Sequence, residues 1–416
     1  MGRPNVTINK TNGNLGRRSP SADAVFGAVI SAPAIDGDAN MKNGVVYPMV
    51  SIKDAEAIGV TKAYDTANTV LVWTRINRFF LRNPNATLFV LFAPQTAGLK
   101  DMVDVAQNYA PQLLRSQNGA IKYTWIARNP ADDYEPVLAG GLEQDVLDAV
   151  ANAQALYTSE FAKFRYSSFL IEGRNFNGTA AAATSLRTLN APNVSVVIAA
   201  DPAISKSNAA FNAYAAVEDV AGIISIAAVS QDPGELTDAF NLQNTGLGLF
   251  ATAGLSSNLP IGSYADADLD ALNTKGYIFP DVTAGVSGFF ISDSHTCSAI
   301  ADNDYAYIEN NRTIEKAIFL SRTAMLPKVK SRLKVDPSTG KLLPQVCKAI
   351  ESTGNASLKP METDGDISGG IDTYVDPSQN LLATSNLQVA MTFVPVPIAR
   401  AITISIGFKN PLNTNN

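Results

Sequence analysis

The 416-residue sequence has one histidine, two cysteines and no long apolar run, and each shortage closes a class of function. With His295 as the lone imidazole, and with Cys297 and Cys347 spaced for neither a metal knuckle nor a disulfide framework, no metal site is expected and a reducing compartment fits. The most apolar stretch, 220–229, falls far short of the roughly 20 residues that span a bilayer. Residues 1–20 hold no apolar signal core, so neither membrane insertion nor signal-peptide export is expected. Lysine and arginine, 32 in all, are outnumbered by 38 acidic residues. The resulting net charge of -6 lacks the positive field that non-specific nucleic-acid binding requires, so no direct nucleic-acid partner is expected. Neither GxxxxGKS/T nor GxGxxG stands at a strand-helix junction, and Ala139-Gly140-Gly141 reads as a turn before a helix. No cofactor is expected.

What is present is an ordinary globular balance, 46% hydrophobic and 17% charged. The length suits two or three domains at roughly 100–200 residues each. Residues 1–22 carry Arg3, Lys10, Arg17 and Arg18 without an acidic residue, and Val6 and Ile8 sit at the period of a short strand. This segment reads as an extended basic arm. From residue 24 an apolar strand begins, followed by a helix over 70–82. Strands over 87–92, 121–127, 167–171, 194–199 and 223–229 then alternate with helices over 99–116, 142–164, 180–189 and 208–220. That rhythm predicts a doubly wound, mostly parallel α/β domain. A Gly-, Ser- and Asn-rich stretch at 243–262 interrupts it. Farther on, a long helix runs over 304–327 and a second over 342–351. Near the end, Leu387, Val389, Met391 and Phe393 alternate, and Ile402, Ile404, Ile406 and Phe408 alternate again.

Three clusters invite a chemical reading. Asp293, His295 and Cys297 would share one face of an extended segment, the spacing of a Cys/His nucleophile pair or part of a metal site. Residues two apart on a strand are usually only neighbours, and a zinc site would need ligands the chain lacks apart from Cys347. Ser368-Gly369-Gly370-Ile371-Asp372-Thr373 looks like a phosphate loop, but Glu362, Asp364 and Asp366 precede it and Pro377 follows, which predicts a surface turn. Lys316, Arg322, Lys328, Lys330, Arg332 and Lys334 occur with no acidic residue among 316–334. They make either a solvated helix face or a positive strip aimed at an acidic partner.

The two ends bear on assembly. A strand over 401–408 would gain roughly 6 to 12 kcal/mol from four large apolar side chains. Ordering its residues costs about 1 to 2 kcal/mol apiece. The terms nearly cancel, so this strand needs a host sheet, either its own or a neighbour's. Strands donated head to tail give contacts that need not close, and such contacts build filaments.

From residue 273 onward the sequence resembles the tail sheath proteins of contractile phages and related contractile injection systems. The resemblance is carried by an ordered series: Gly276-Tyr277-Ile278-Phe279-Pro280, Gly288-Phe289-Phe290, Asp293-Ser294-His295-Thr296, Asp304-Tyr305-Ala306-Tyr307-Ile308 and Asn311-Arg312-Thr313-Ile314-Glu315-Lys316-Ala317. Asp336-Pro337-Ser338-Thr339-Gly340-Lys341-Leu342 and Met391-Thr392-Phe393-Val394-Pro395-Val396-Pro397-Ile398 complete it, and Ala24-Val25-Phe26-Gly27-Ala28-Val29-Ile30 resembles the sheath's first strand.

The resemblance implies an N-terminal arm over 1–22, an outer α/β domain over 23–297, an α+β inner domain over 298–400 and a C-terminal arm over 401–416. The strand near 24–33 could instead belong to the inner domain. It implies strand exchange between copies through Val6 and Ile8 and through Ile402, Ile404, Ile406 and Phe408. It places Lys316, Arg322, Lys328 and Lys330 toward an inner tube. The implied protein is no enzyme but a structural sheath subunit of a virion tail or contractile particle, assembled in the bacterial cytoplasm. It would polymerise around the tube, meet baseplate and tail-terminator proteins, and drive tube ejection by nucleotide-independent contraction. Gly13, Asn14-Leu15-Gly16, Pro395 and Pro397 would suit hinges. The alternatives are an α/β hydrolase-like enzyme built on 293–297, or another virion component forming closed rings.

Overall fold

The first strand, β1 (Val25–Ser31), is buried along nearly its whole length, as an unbroken apolar run must be when both faces of a parallel sheet are covered. The computed structural model, which describes residues 22–301 and 303–408, sets β1 at the middle of a six-stranded sheet. The other strands are β2 (Val46–Met49), β3 (Thr87–Ala93), β4 (Tyr123–Ala127), β5 (Ser168–Glu172) and β6 (Val194–Val197), in the order β2-β3-β1-β4-β5-β6. All neighbours run parallel except β2, which is antiparallel at one edge, where Pro48 is tolerated. Mixed α/β architecture with a parallel-rich sheet follows. The opening strand lies within this sheet, paired with β3 and β4.

Helices supply that cover. Phe26 meets Phe79 of α1 (Val72–Arg82). The next residue, Gly27, points the other way, toward Leu113 of the helix Ala110–Ser116. Helix α2 (Gln144–Phe161) packs on β5 and β6, and α3 (Val217–Ile226) packs on α1. The approach of α3 to α1 is close: a Cβ on Gly222 would lie 2.5 Å from Cβ of Arg82.

Several expected elements differ. The strand expected over 223–229 is largely the end of α3, whose residues 217–225 are all buried. A segment apolar on every side carries no periodicity to separate helix from strand. The helix expected over 208–220 consequently begins only at Val217. The helix expected over 180–189 reduces to a 3-10 turn, Leu186–Thr188. Alanine propensity there yields to contacts such as Thr184 N–H with the Gly140 carbonyl at 2.6 Å. The helix expected over 99–116 breaks into Leu99–Met102 and Ala110–Ser116, with Pro111 opening the second.

Past the sheet, α4 (Ile308–Met325) and α5 (Pro344–Asp364) pack on each other, and α5 packs on an antiparallel pair, β7 (Ile367–Tyr374) with β8 (Ala390–Pro395). Two small cores hold this region, one around Ala317, Leu358, Met361 and Ile367 and one around Leu342, Cys347, Ile350 and Val375. The large core runs from Phe26 to Ile308. The Ser368–Thr373 motif is not a surface turn but part of β7. Its glycines, at φ +107° for Gly369 and +63° for Gly370, absorb two shifts of register against β8. The expected strand over 401–408 forms no ladder among the described residues.

Candidate assembly site

Ile402, Ile404 and Ile406 are 78%, 74% and 92% exposed, and Phe408 is fully exposed. Four large apolar side chains in water on a segment without ladder partners make a surface that must find cover. Earlier in the chain, β7 and β8 form only a two-stranded sheet with both outer edges unpaired among the described residues. Such a pair is marginal alone and offers backbone groups to further strands. Val6 and Ile8 lie outside the described residues.

The root of the C-terminal segment is fixed by Arg400. Its Nε donates to Asp293 Oδ1 at 3.1 Å, and its Nη2 donates to Asp232 Oδ2 at 3.2 Å, to Ser294 Oγ at 3.2 Å and to Glu309 Oε1. The guanidinium also lies 3.6 Å from the centre of the Tyr307 ring. Burial raises the Asp232 carboxyl to about 7, with the Glu309 and Asp293 charges adding to the effect and Arg400 opposing it. The beginning of the described chain is fixed in a similar way. Lys316 of α4 donates to Asp23 at 2.7 Å and to Asp366, just before β7, at 2.6 Å. Burial alone would lower the Lys316 ammonium, but the two carboxylates outweigh it and raise it.

The four residues expected to face a tube are thus not alike. Lys316 is held in these internal pairs. Arg322 stacks over the Phe164 ring at 3.8 Å. Lys328 and Lys330 are exposed past the end of α4, as are Arg332 and Lys334. Arg400, Glu309 and Asp232 escaped the sequence reading. The signal available was an isolated arginine between a proline-rich turn and an alternating apolar run.

The Asp293–Cys297 segment does not assemble a nucleophile. The His295 ring is buried, Nδ1 faces Arg187 Nη2, and Nε2 lies 2.7 Å from Asn273 Oδ1. Burial, with Arg187 and Arg400 nearby, lowers its pKa to about 4, and burial pushes the Cys297 thiol up to about 12. A thiol so raised and an imidazole so engaged suit a packed core. Among the described residues no group of three or more His, Cys, Asp or Glu is placed to hold a metal ion. No described helix is long and apolar enough to cross a membrane.

The carboxyl ends of the strands, where open α/β sheets take ligands, carry a cavity of about 280 Å³ lined by Arg75, Arg128, Arg174 and Glu143. Its arginines are already matched: Arg75 with Glu172 and Glu218, Arg128 with Asp145 at 2.9 Å, Arg174 with Glu143 at 3.2 Å. Behind it Arg78 and Arg82 reach Asp219 at 2.5 and 2.7 Å, so α1 and α3 are cross-linked by buried charge. The arrangement is a structural lock.

Two family models match the chain: DUF2586, N-terminal domain, over residues 3–295, and DUF2586, C-terminal domain, over 304–413. The chain belongs to the DUF2586 family. No curated protein matches it. Among solved structures, this DUF2586 chain is similar to the anti-feeding prophage (AFP) helical sheath in its contracted state. That match has a TM-score of 0.63 and 14% identity and covers 98% of this chain and 100% of that one. It is also similar to a chain of the AFP baseplate, 6-fold symmetrised (0.60, 15%, covering 99% and 100%). A third likeness is to the PVC sheath complex of an extracellular contractile injection system in its contracted state (0.59, 12%, covering 98% and 98%). At these identities the likeness establishes that DUF2586 shares the fold of contractile sheath subunits over nearly its full length.

Proposed function

We propose that this chain is a sheath subunit of a contractile tail or injection particle. It polymerises helically around an inner tube and drives that tube out by nucleotide-independent contraction. What supports the reading is the exposed, unpaired segment 402–408 together with a two-stranded sheet with open edges, in a chain that matches the sheath fold over 98% of its length. Residues 401–408 of one copy, and Val6 and Ile8 of another, extend the β7–β8 sheet of a neighbour. Each link is weak, but the many links of a lattice act together.

In this reading 23–297 is the outer domain, and the strand order with helices on both faces supports its doubly wound description. Residues 298–400 form the inner domain, with 1–22 and 401–416 as arms. Lys328 and Lys330, with Arg322 behind them, face the tube. Lys316 serves within the subunit. Partners are further copies of the chain, the tube protein, baseplate and tail-terminator proteins, in a particle assembled in the bacterial cytoplasm. The engaged imidazole and raised thiol at 295–297 weigh against a hydrolase. The likeness to an AFP baseplate chain favours one second reading, a closed ring.

Negative-stain electron microscopy of the purified chain, beside forms lacking 1–22 and 401–416, separates these readings. Long hollow tubes that vanish on trimming support the sheath. Rings of fixed diameter favour the baseplate component. Monomers from the full chain, unchanged by added tube protein, sink both.

A further inference from the structure

We propose that α4 is the common mooring of both chain ends, and that this mooring sets the angle at which each arm leaves the subunit. The inference rests on the sheath reading for its consequence but not for its geometry. Glu309 of α4 accepts from Arg400, the residue immediately before the exposed 401–408 segment. Lys316 of the same helix binds Asp23, two residues before β1, at 2.7 Å. Glu309 and Lys316 are seven residues apart. That spacing is nearly two full turns, so the two side chains leave one side of the helix about 10 Å apart along its axis.

Each mooring is built as a fixed point. Arg400 meets three carboxylates, Asp232, Asp293 and Glu309, and stacks on Tyr307, which stands one residue before α4. Planar guanidinium pairing of this kind fixes direction as well as distance. Lys316 spans Asp23 and Asp366, so one ammonium ties the beginning of the described residues to the start of β7, the strand that would receive a neighbour's arm. The helix is itself held to the large sheet. Glu315 accepts from Ser168 Oγ of β5 at 2.8 Å, and Arg312 donates to the Ala228 carbonyl at 3.0 Å. A pull on either arm is therefore delivered to one rigid element that carries, at its far end, the exposed Lys328 and Lys330. Arg400 and Lys316 act as positioning residues: both are engaged within the subunit and fix the departure of the segments that follow and precede them.

The test uses the full chain with Arg400→Met, Lys316→Met and, as the charge-keeping control, Lys316→Arg. Hydrogen exchange on the unassembled subunit should speed up about tenfold around 396–400 in Arg400→Met, and around 23–25 and 366–368 in Lys316→Met, with β3–β6 unchanged. Lys316→Arg should exchange as the parent does. Helical reconstruction of tubes should show a changed twist or mixed symmetry for both methionine variants and the parental lattice for Lys316→Arg. Parental exchange at those segments overturns the mooring. Faster exchange with an unaltered lattice overturns its role in setting the arms. If the parent chain builds no tubes, the sheath reading fails, and the exchange data alone decide whether α4 moors the ends.

Discussion

Arg187 holds His295 in one tautomer: the guanidinium donates to Nδ1, which leaves the ring proton on Nε2, 2.7 Å from Asn273 Oδ1. Burial, opposed by Asp293 and reinforced by the cation facing Nδ1, disfavours a second proton, and the ring's pKa falls from 6.5 to about 4. The unfolded chain therefore takes up this proton first as pH drops. Stability tied to His295 is present above about pH 6.5 and is lost as pH falls toward 4. The loss is at most about 3 kcal/mol. Thermal melts of wild type and His295→Gln across this window should show the gap between them shifting in the variant's favour toward acid. A gap independent of pH would refute the assignment.

Glu315 slopes the other way. Burial beneath α4 lifts its carboxyl from 4.5 to about 7, despite the bond from Ser168. A folded pKa above the unfolded one gives stability that is present below about 4.5 and lost as pH rises through 7. Glu315→Gln carries no charge at any pH, so relative to wild type it should gain up to about 3 kcal/mol between mildly acidic and mildly alkaline buffer. Comparing the same variant at two pH values cancels whatever the amide costs in hydrogen bonding. The His295 and Glu315 windows overlap with opposite signs, and the Asp232 carboxyl, also raised to about 7, slopes with Glu315, so the single variants are needed to isolate each slope. Urea midpoints at both pH values check this, and a variant that gains nothing on the alkaline side would show that Glu315 ionises normally.

How much of this was legible in the sequence depends on what each element needs. Strands β1, β3, β4, β5 and β6 announce themselves because short apolar runs bounded by turn residues fit few other structures. Helix α3 does not, since burial of residues 217–225 on every side removes the alternation that separates helix from strand. Arg75, Arg78 and Arg82 do sit at helical spacing on α1. Their partners Glu172, Glu218 and Asp219 lie about 100 to 140 positions away, and no local pattern announces such pairing. The 402–408 alternation was readable as a strand. These residues nevertheless form no ladder among the described residues, and the host sheet proposed for them belongs to a neighbouring copy.

The buried lock gives a large effect. Arg75 is wholly buried, donates to Glu218 at 2.7 Å and to Glu172, and lies 4.7 Å from the Tyr214 ring centre. Arg75→Met keeps much of the volume but strands two carboxylates away from water. Removing one partner of a buried pair costs about 3 to 5 kcal/mol. The urea midpoint should fall accordingly at an unchanged slope, and adding Glu172→Gln and Glu218→Gln should recover part of the loss. A midpoint within error of wild type would mean that the carboxylates find water or other partners.

The exposed basic end of α4 ties stability to function. Lys328, Lys330, Arg332 and Lys334 extend into solvent past a helix whose own cations, Arg312, Lys316 and Arg322, are already engaged. If these residues meet an acidic tube, their attraction is long-ranged, screened by salt, and sets register more than strength. Lys328→Glu with Lys330→Glu should leave self-assembly through the arms intact, since both side chains are exposed and lie outside the arm segment and the β7–β8 strands. Co-sedimentation with the tube protein should drop about tenfold for the double variant at low salt, and the wild type should converge on it as salt rises. Co-sedimentation that ignores both substitutions and salt would move the tube contact elsewhere on the subunit, because no screened charge pair could behave that way.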